Sequence, residues 1–251
     1  MATLASEIIA NAAQSASSIL NDLARDVMAA GRLRLDTTVL QQMEALQVDT
    51  RSALGALARG HLRLPYDLCW IELDEEGEKA GCLVLYEDGA LSVLPVFSED
   101  GFLCMPRGVA RVDHAGVRVE VQRGMSHEEQ ASTMELLGAA CNYVIRFALL
   151  ISAKGSPAII GPDEDFARLN RRRAKAGKPP VVGCRPVRWN LSREPRHSNG
   201  AGVGQGSAAA PHIVRGHLKT RKSGIYWWRP HYRGLVLGDA PPSGRDYRVT
   251  I

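Results

Sequence analysis

The chain has 251 residues, 45% apolar and 23% charged, which is enough apolar mass to bury a substantial core in one large domain or two small ones. No apolar run reaches membrane-spanning length: the longest, 141–153, is interrupted by Asn142 and Arg146, and the N-terminus lacks the basic segment and apolar block of a secretory signal. Five cysteines, odd in number and without a CxxC pair, fit buried thiols in a reducing compartment better than a disulfide framework, so a cytoplasmic location is expected, with no membrane partner.

The formal net charge of +4 conceals a strong asymmetry. Residues 1–162 hold 13 Lys/Arg against 21 Asp/Glu, a net of −8, whereas residues 163–251 hold 18 against 6, a net of +12. An acidic body followed by a basic part suggests a division of labour, the basic part being drawn to phosphates.

In chain order, residues 4–29 read as one helix, with Leu4, Ile8, Ala12, Ile19, Leu23 and Val27 on one face and Gly31 after its end. A second helix is expected from Asp36 or Thr37 to Ala58, the two forming an antiparallel helical hairpin. Three apolar runs follow at 69–73, 81–86 and 90–97, parted by turn sequences, and a fourth at 117–121 alternates strictly. They predict an antiparallel meander in which Pro95 marks an edge or a bulge. Ser126-His127-Glu128-Glu129 is a capping box that opens a long apolar helix to about Ala153. Arg146 on it reads as a snorkelling or core-paired arginine.

Residues 163–180 form a short helix opened by acidic residues and closed by Arg171, Arg172, Arg173, Lys175 and Lys178, more cations than a helix dipole needs. A strand carrying Trp189 is expected over 181–191. The Gly/Ala-rich stretch 192–210 has almost no large apolar residue and reads as a flexible linker. The expected organisation is therefore a body over 1–162, a basic helix and strand over 163–191, that linker, and a basic β-module over 211–251. The fold class is α+β: an N-terminal helical hairpin, an antiparallel meander packed on a long apolar helix, and a small basic C-terminal β-module.

The stretch 211–234 concentrates the unusual chemistry. It gathers His212, His217 and His231, Trp227 and Trp228, and six Lys/Arg in 24 residues. It reads as a hairpin with strands over 213–219 and 225–229, a turn at Arg221-Lys222-Ser223-Gly224, and Pro230 as the stop; residues 245–251 are expected to add a last strand. Cations interleaved with aromatic rings on a small ribbon suit a single-stranded nucleic acid. The candidate contacts are Arg215, His217, Lys219, Arg221, Lys222, Trp227, Arg229 and Arg233, helped by Arg171, Arg172, Arg173, Lys175 and Lys178. Trp228 and Tyr226 are further stacking platforms, and strand alternation sends one of the two tryptophans inward.

Other chemistry finds less support. His212 and His217 are separated by an odd number of residues and no cysteine pair accompanies them, so no metal site is expected. No P-loop and no GxSxG element is present, and the glycines at 202–206 belong to the linker. No cofactor is expected. A metal-independent ribonuclease is an alternative, with His217, His231 and Arg233 as candidate catalytic groups, imidazole moving the 2′-hydroxyl proton and arginine steadying the phosphorane. Paired carboxylates for a two-metal nuclease are missing from that stretch. A nucleic-acid-binding phage structural or assembly protein is the third reading.

One resemblance is carried by Pro211-His212-Ile213-Val214-Arg215-Gly216-His217, followed by Trp228-Arg229-Pro230 and Gly234, with Leu64-Pro65 and Cys69-Trp70-Ile71 upstream and Tyr143 and Pro157-Ala158-Ile159 between. In these the chain resembles a phage and plasmid family that includes a type V-A anti-CRISPR acting on biogenesis of its target nuclease. The resemblance implies an accessory, anti-defence protein that recognises a polypeptide, complete or nascent, and acts on translation or leads to mRNA destruction. Its implied partners are a protein or nascent peptide and RNA or the ribosome. The length, the 170–180 segment and much of the body depart from that family, so no peptide target is implied.

Overall fold

The structure is a computed structural model that describes residues 3–46, 48–75, 78–99, 102–189, 196–197, 212–214, 217–228 and 231–233. Residues 4–29 form two helices, α1 (Leu4–Ala12) and α2 (Ser18–Ala29). The break falls where Ser17 leaves helical geometry and its side chain accepts from the Leu20 amide, a cap that outcompetes continuation through a serine-rich stretch. β1 (Gly31–Leu35) follows, and then α3 (Thr37–Ala45), capped by Asp36, and α4 (Thr50–Ala58), capped by Asp49. The expected single helix over 36–58 is thus two, and it does not pair with the first helices. α1 and α2 pack on each other, while α3 and α4 lie across the sheet from them.

The sheet explains that separation. β2 (Leu68–Glu75), β3 (Glu78–Glu87), β4 (Ala90–Glu99), β5 (Phe102–Cys104), β6 (Gly108–Asp113) and β7 (Gly116–Val121) run antiparallel, the meander expected from the apolar runs. The tight turn between β3 and β4 is Asp88-Gly89, both at positive φ (51° and 73°), the conformation a two-residue hairpin loop requires. β1 joins this meander in parallel beside β2. Five alternating residues, Gly31-Arg32-Leu33-Arg34-Leu35, are too short a signal to separate from a helix end. Later in the chain come α5 (His127–Ser152), β8 (Ala158–Ile160), α6 (Ala167–Lys175) and β9 (Arg185–Trp189). β9 enters beside β1, again in parallel, and β8 closes the edge, giving the order β7-β6-β4-β3-β2-β1-β9-β8 with β5 beside β4. The whole is α+β, with six helices among the described residues and a mixed, mostly antiparallel sheet.

Pro95 does not lie in an edge strand, because β4 is internal. On one side it pairs with Cys82; on the other it falls between the β6 pairings at Leu91, Ser92 and Val93 and the β5 pairings that begin at Phe97. A proline there occupies a local gap in the ladder, so its missing N–H costs the sheet little.

Alternation divides the side chains into two cores. Leu33, Leu35, Cys69, Ile71, Val84, Leu91, Val93 and Val112 face α3, α4 and α5. Trp70, Leu83, Leu94 and Val96 face α1 and α2. Trp70 is fully buried over Gly81, where a β-carbon would come within 2.4 Å of the indole. α5 opens with the capping box, Ser126 Oγ accepting from the Glu129 amide and the Glu129 carboxylate accepting from the Ser126 amide at 2.7 Å. It is long and apolar enough to cross a membrane, yet Leu137, Val144, Phe147 and Leu150 are buried in the core it shares with the sheet. Arg146 on α5 donates to the Met43 and Glu44 carbonyls, closing the C-terminus of α3.

Candidate nucleic-acid interface

The basic hairpin is shorter than the sequence suggested and is fused to the body. Its strands are β12 (His217–Arg221) and β13 (Gly224–Trp228), joined through Lys222 and Ser223. Before and after it lie β10 (Arg196–His197), β11 (His212–Val214) and β14 (His231–Arg233), which form a separate small sheet in the order β10-β14-β11. The continuous strand expected over 213–219 is therefore two strands belonging to different sheets. The C-terminal strand expected over 245–251 lies outside the described residues, as does the linker over 192–210 apart from β10.

The register fixes which side chains share a face. His217 pairs with Trp228, Leu218 with Trp227, Lys219 with Tyr226, Thr220 with Ile225 and Arg221 with Gly224. Directly opposed residues point the same way. Leu218, Trp227 and Ile225 therefore form the inner face; Ile225 is 1% exposed within the main core, and the other two pack against it. His217, Lys219, Arg221, Tyr226 and Trp228 form the outer face. As strand alternation requires, one tryptophan, Trp227, turns inward and is partly buried against the core, and the other turns outward. The outward ring is Trp228, exposed to 39%, while Trp227, the other candidate, faces the core.

The outer face is an alternating array of cations and rings. Lys219 Nζ sits 4.4 Å from the Trp228 ring centroid, and the Arg221 guanidinium lies 5.8 Å from Trp228 and 6.0 Å from Tyr226. The His217 ring is 5.7 Å from Trp228, tilted by 43°. Lys154 completes the group: its Nζ is 5.3 Å from the Tyr226 centroid and 3.4 Å from the Ser223 carbonyl. Lys154, Lys219, Arg221 and Lys222 form no ion pair with any described residue. The Ser223 hydroxyl, 3.0 Å from the Tyr226 phenolic oxygen, and then the Lys154 ammonium hold that phenol below its ordinary range.

Docking of the hairpin uses backbone as well as side chains. Lys154 N donates to the Ile225 carbonyl at 2.8 Å, and Trp227 N donates to the Lys154 carbonyl at 3.0 Å, so a residue just past the end of α5 is spliced alongside β13. His61 Nε2 lies 2.9 Å from the Lys222 carbonyl, tying the turn to the end of α4. Gly224 adopts φ +134°, which permits the tight turn beside Lys154. Sequence reasoning missed Lys154, because it lies 69 residues before its Ser223 partner and carries no local motif.

The remaining candidates are dispersed. Arg171, Arg172, Arg173 and Lys175 lie on α6 and Lys178 just after it; α6 is anchored to the α1 side of the sheet, away from the hairpin. Arg173 donates to the Pro179 carbonyl and serves its own loop. Arg215 and Arg229 lie outside the described residues. The backbones of His231 and Arg233 belong to β14, in a different sheet from His217, and their side chains also lie outside the description. Among the described residues no three His, Cys, Asp or Glu side chains converge. Cys69, Cys82, Cys141 and Cys184 are buried; burial pushes the first three thiols up to about 12 and the fourth higher still, away from reactive thiolate character.

Compared with known protein families, with curated proteins and with solved structures, the chain matches none.

Proposed function

We propose that the protein is an RNA-contacting accessory protein whose working surface is the outer face of the β12–β13 hairpin. The observation that carries this reading is the array of Lys219, Arg221 and Lys154 packed around Tyr226 and Trp228, cations without carboxylate partners among the described residues interleaved with two aromatic rings. Tyr226 and Trp228 are two residues apart on one strand face, so their backbone positions are about 7 Å from each other. Bases of an extended single strand stack on such platforms while the cations neutralise its phosphates. In line with the resemblance centred on Arg215-Gly216-His217, the protein acts on mRNA or the ribosome in the host cytoplasm, as an anti-defence factor that also recognises a polypeptide.

Lys219→Ala with Arg221→Ala tests the reading. Both side chains are exposed, so the fold should stay intact by circular dichroism. Binding to single-stranded RNA and co-sedimentation with ribosomes should weaken, and the slope of log affinity against log salt should fall by about 0.7 for each phosphate that is no longer neutralised. Trp228→Ala should cost about 1–3 kcal/mol for the stacked base. Unchanged RNA affinity in both variants would sink the proposal. Labelled RNA incubated with the protein in EDTA separates this reading from a metal-independent ribonuclease, since a binding protein leaves the RNA whole.

A further inference from the structure

The hairpin is one of two dense cationic surfaces, and the sheet stands between them. α6 presents Arg168, Arg171, Arg172 and Lys175, and Lys178 follows in the next loop; all five are exposed, and none pairs with a described carboxylate. No residue of α6 is buried, so the helix contributes nothing to the core. It is nevertheless held in place. The Asn170 side chain donates to the Val181 carbonyl and accepts from the Val181 amide, at 2.7 and 2.8 Å. The next residue, Val182, donates to Ser6 Oγ and packs into the α1–α2 core. α6 is thereby tied to one face of the sheet, while Ile225, Leu218 and Trp227 tie the hairpin to the other.

A helix dipole explains cations in a last turn, here Arg172, Arg173 and Lys175. It does not explain Arg168 and Arg171, which precede that turn, or Lys178 beyond it. The acidic residues nearby are already engaged: Glu164 bonds Arg34 at 2.5 Å, Asp163 lies 3.6 Å from Arg185, and Asp165 accepts from the Ala167 amide. The α6 cations are left facing solvent. α6 itself carries no aromatic ring, so its chemistry suits the sugar-phosphate backbone without base stacking.

We propose that α6 is a second RNA-contacting surface, and that one chain bridges two stretches of single-stranded RNA, one on each face of the sheet. The inference rests on the hairpin reading for one of its two contacts. An oligouridylate of about eight nucleotides, within the length that a single surface covers, is the probe, and native mass spectrometry counts the molecules bound per chain. The wild-type protein should take two. Arg168→Gln, Arg171→Gln, Arg172→Gln and Lys175→Gln together should take one, and should lose on the order of 100-fold in affinity for an RNA long enough to reach both faces. Lys219→Gln with Arg221→Gln should also take one. A wild-type stoichiometry of one, or an α6 variant that still takes two, would overturn bridging and leave the hairpin reading standing. An unaffected hairpin variant, with all binding abolished in the α6 variant, would overturn the hairpin reading and bridging with it.

Discussion

Glu72 is the least expected residue of the molecule. Within the run Cys69-Trp70-Ile71-Glu72-Leu73 it occupies a strand position where alternation points it at the α1–α2 core, and it is 2% exposed. Its carboxylate is saturated: the Leu4 and Ala5 amides donate to it at 2.8 and 3.2 Å, Trp70 Nε1 at 2.9 Å, and the Cys184 thiol lies 3.7 Å away. A buried carboxyl group thus caps α1 from another part of the chain. Glu72→Ala strands these donors in the core and should cost about 3 kcal/mol in chemical denaturation. No sequence pattern reveals this, since the helix amides come from 68 residues earlier. Tyr226 gives a prediction of a different kind. Its phenol is held low by Ser223 and Lys154 from an ordinary value of 10.0. As pH rises through that lowered value the ring gains a negative charge on the outer face proposed to meet RNA, so RNA affinity should begin to fall before pH 10 is reached. Tyr226→Phe should hold its affinity over the same range, with the wild-type titration followed by tyrosinate absorbance.

Among the elements, those with strong periodicity were legible and short ones were not. The capping box and the 26-residue α5 stand where the sequence puts them, and so do the meander strands within a few residues. β1, β5 and β8 escaped because three to five residues carry no distinctive period. β6 escaped because its apolar positions are only Val109, Ala110 and Val112 beside a glycine and an arginine. The hairpin was legible in its essentials, since alternation alone sorts its tryptophans into one core and one surface position. What alternation cannot supply is the surface on which a hairpin lands. Ile225, against the end of α5, is the pin of that contact. Ile225→Ala should cost about 2–5 kcal/mol, the usual range for truncating a buried isoleucine. It should also lower RNA affinity although the side chain touches no ligand, because it loosens the platform. Thermal melts and RNA titrations on the same sample check both effects, and a stability loss with unchanged affinity would argue against a rigid platform.

For the molecule as a whole, the charge asymmetry along the sequence is not matched by a break in the main core among the described residues. β9 enters the main sheet, with Val187 in the central core, and the hairpin contributes Ile225 to the same core. The cations are instead distributed onto two faces, on α6 and on the hairpin, which no reading along one dimension distinguishes. The candidate site was legible as a composition and illegible as a place: Lys154 lies beside the hairpin, Trp227 turns inward, and the α6 arginines lie toward the other face of the sheet.

One feature of the sheet bears on how the protein comes into being. β1 has β2 on one side and β9 on the other, and Arg32 of β1 donates to the Gly183 carbonyl, 151 residues further along the chain. On a ribosome, the open flank of β1 stays unpaired while the meander, α5 and α6 are all being made. The sheet closes only after residues 185–189 have been made, and pairing so remote in sequence is intrinsically slow. The seam between β1 and β9 is thus expected to form late, and the hairpin of the candidate RNA surface, which packs Ile225 into the same core, is made later still.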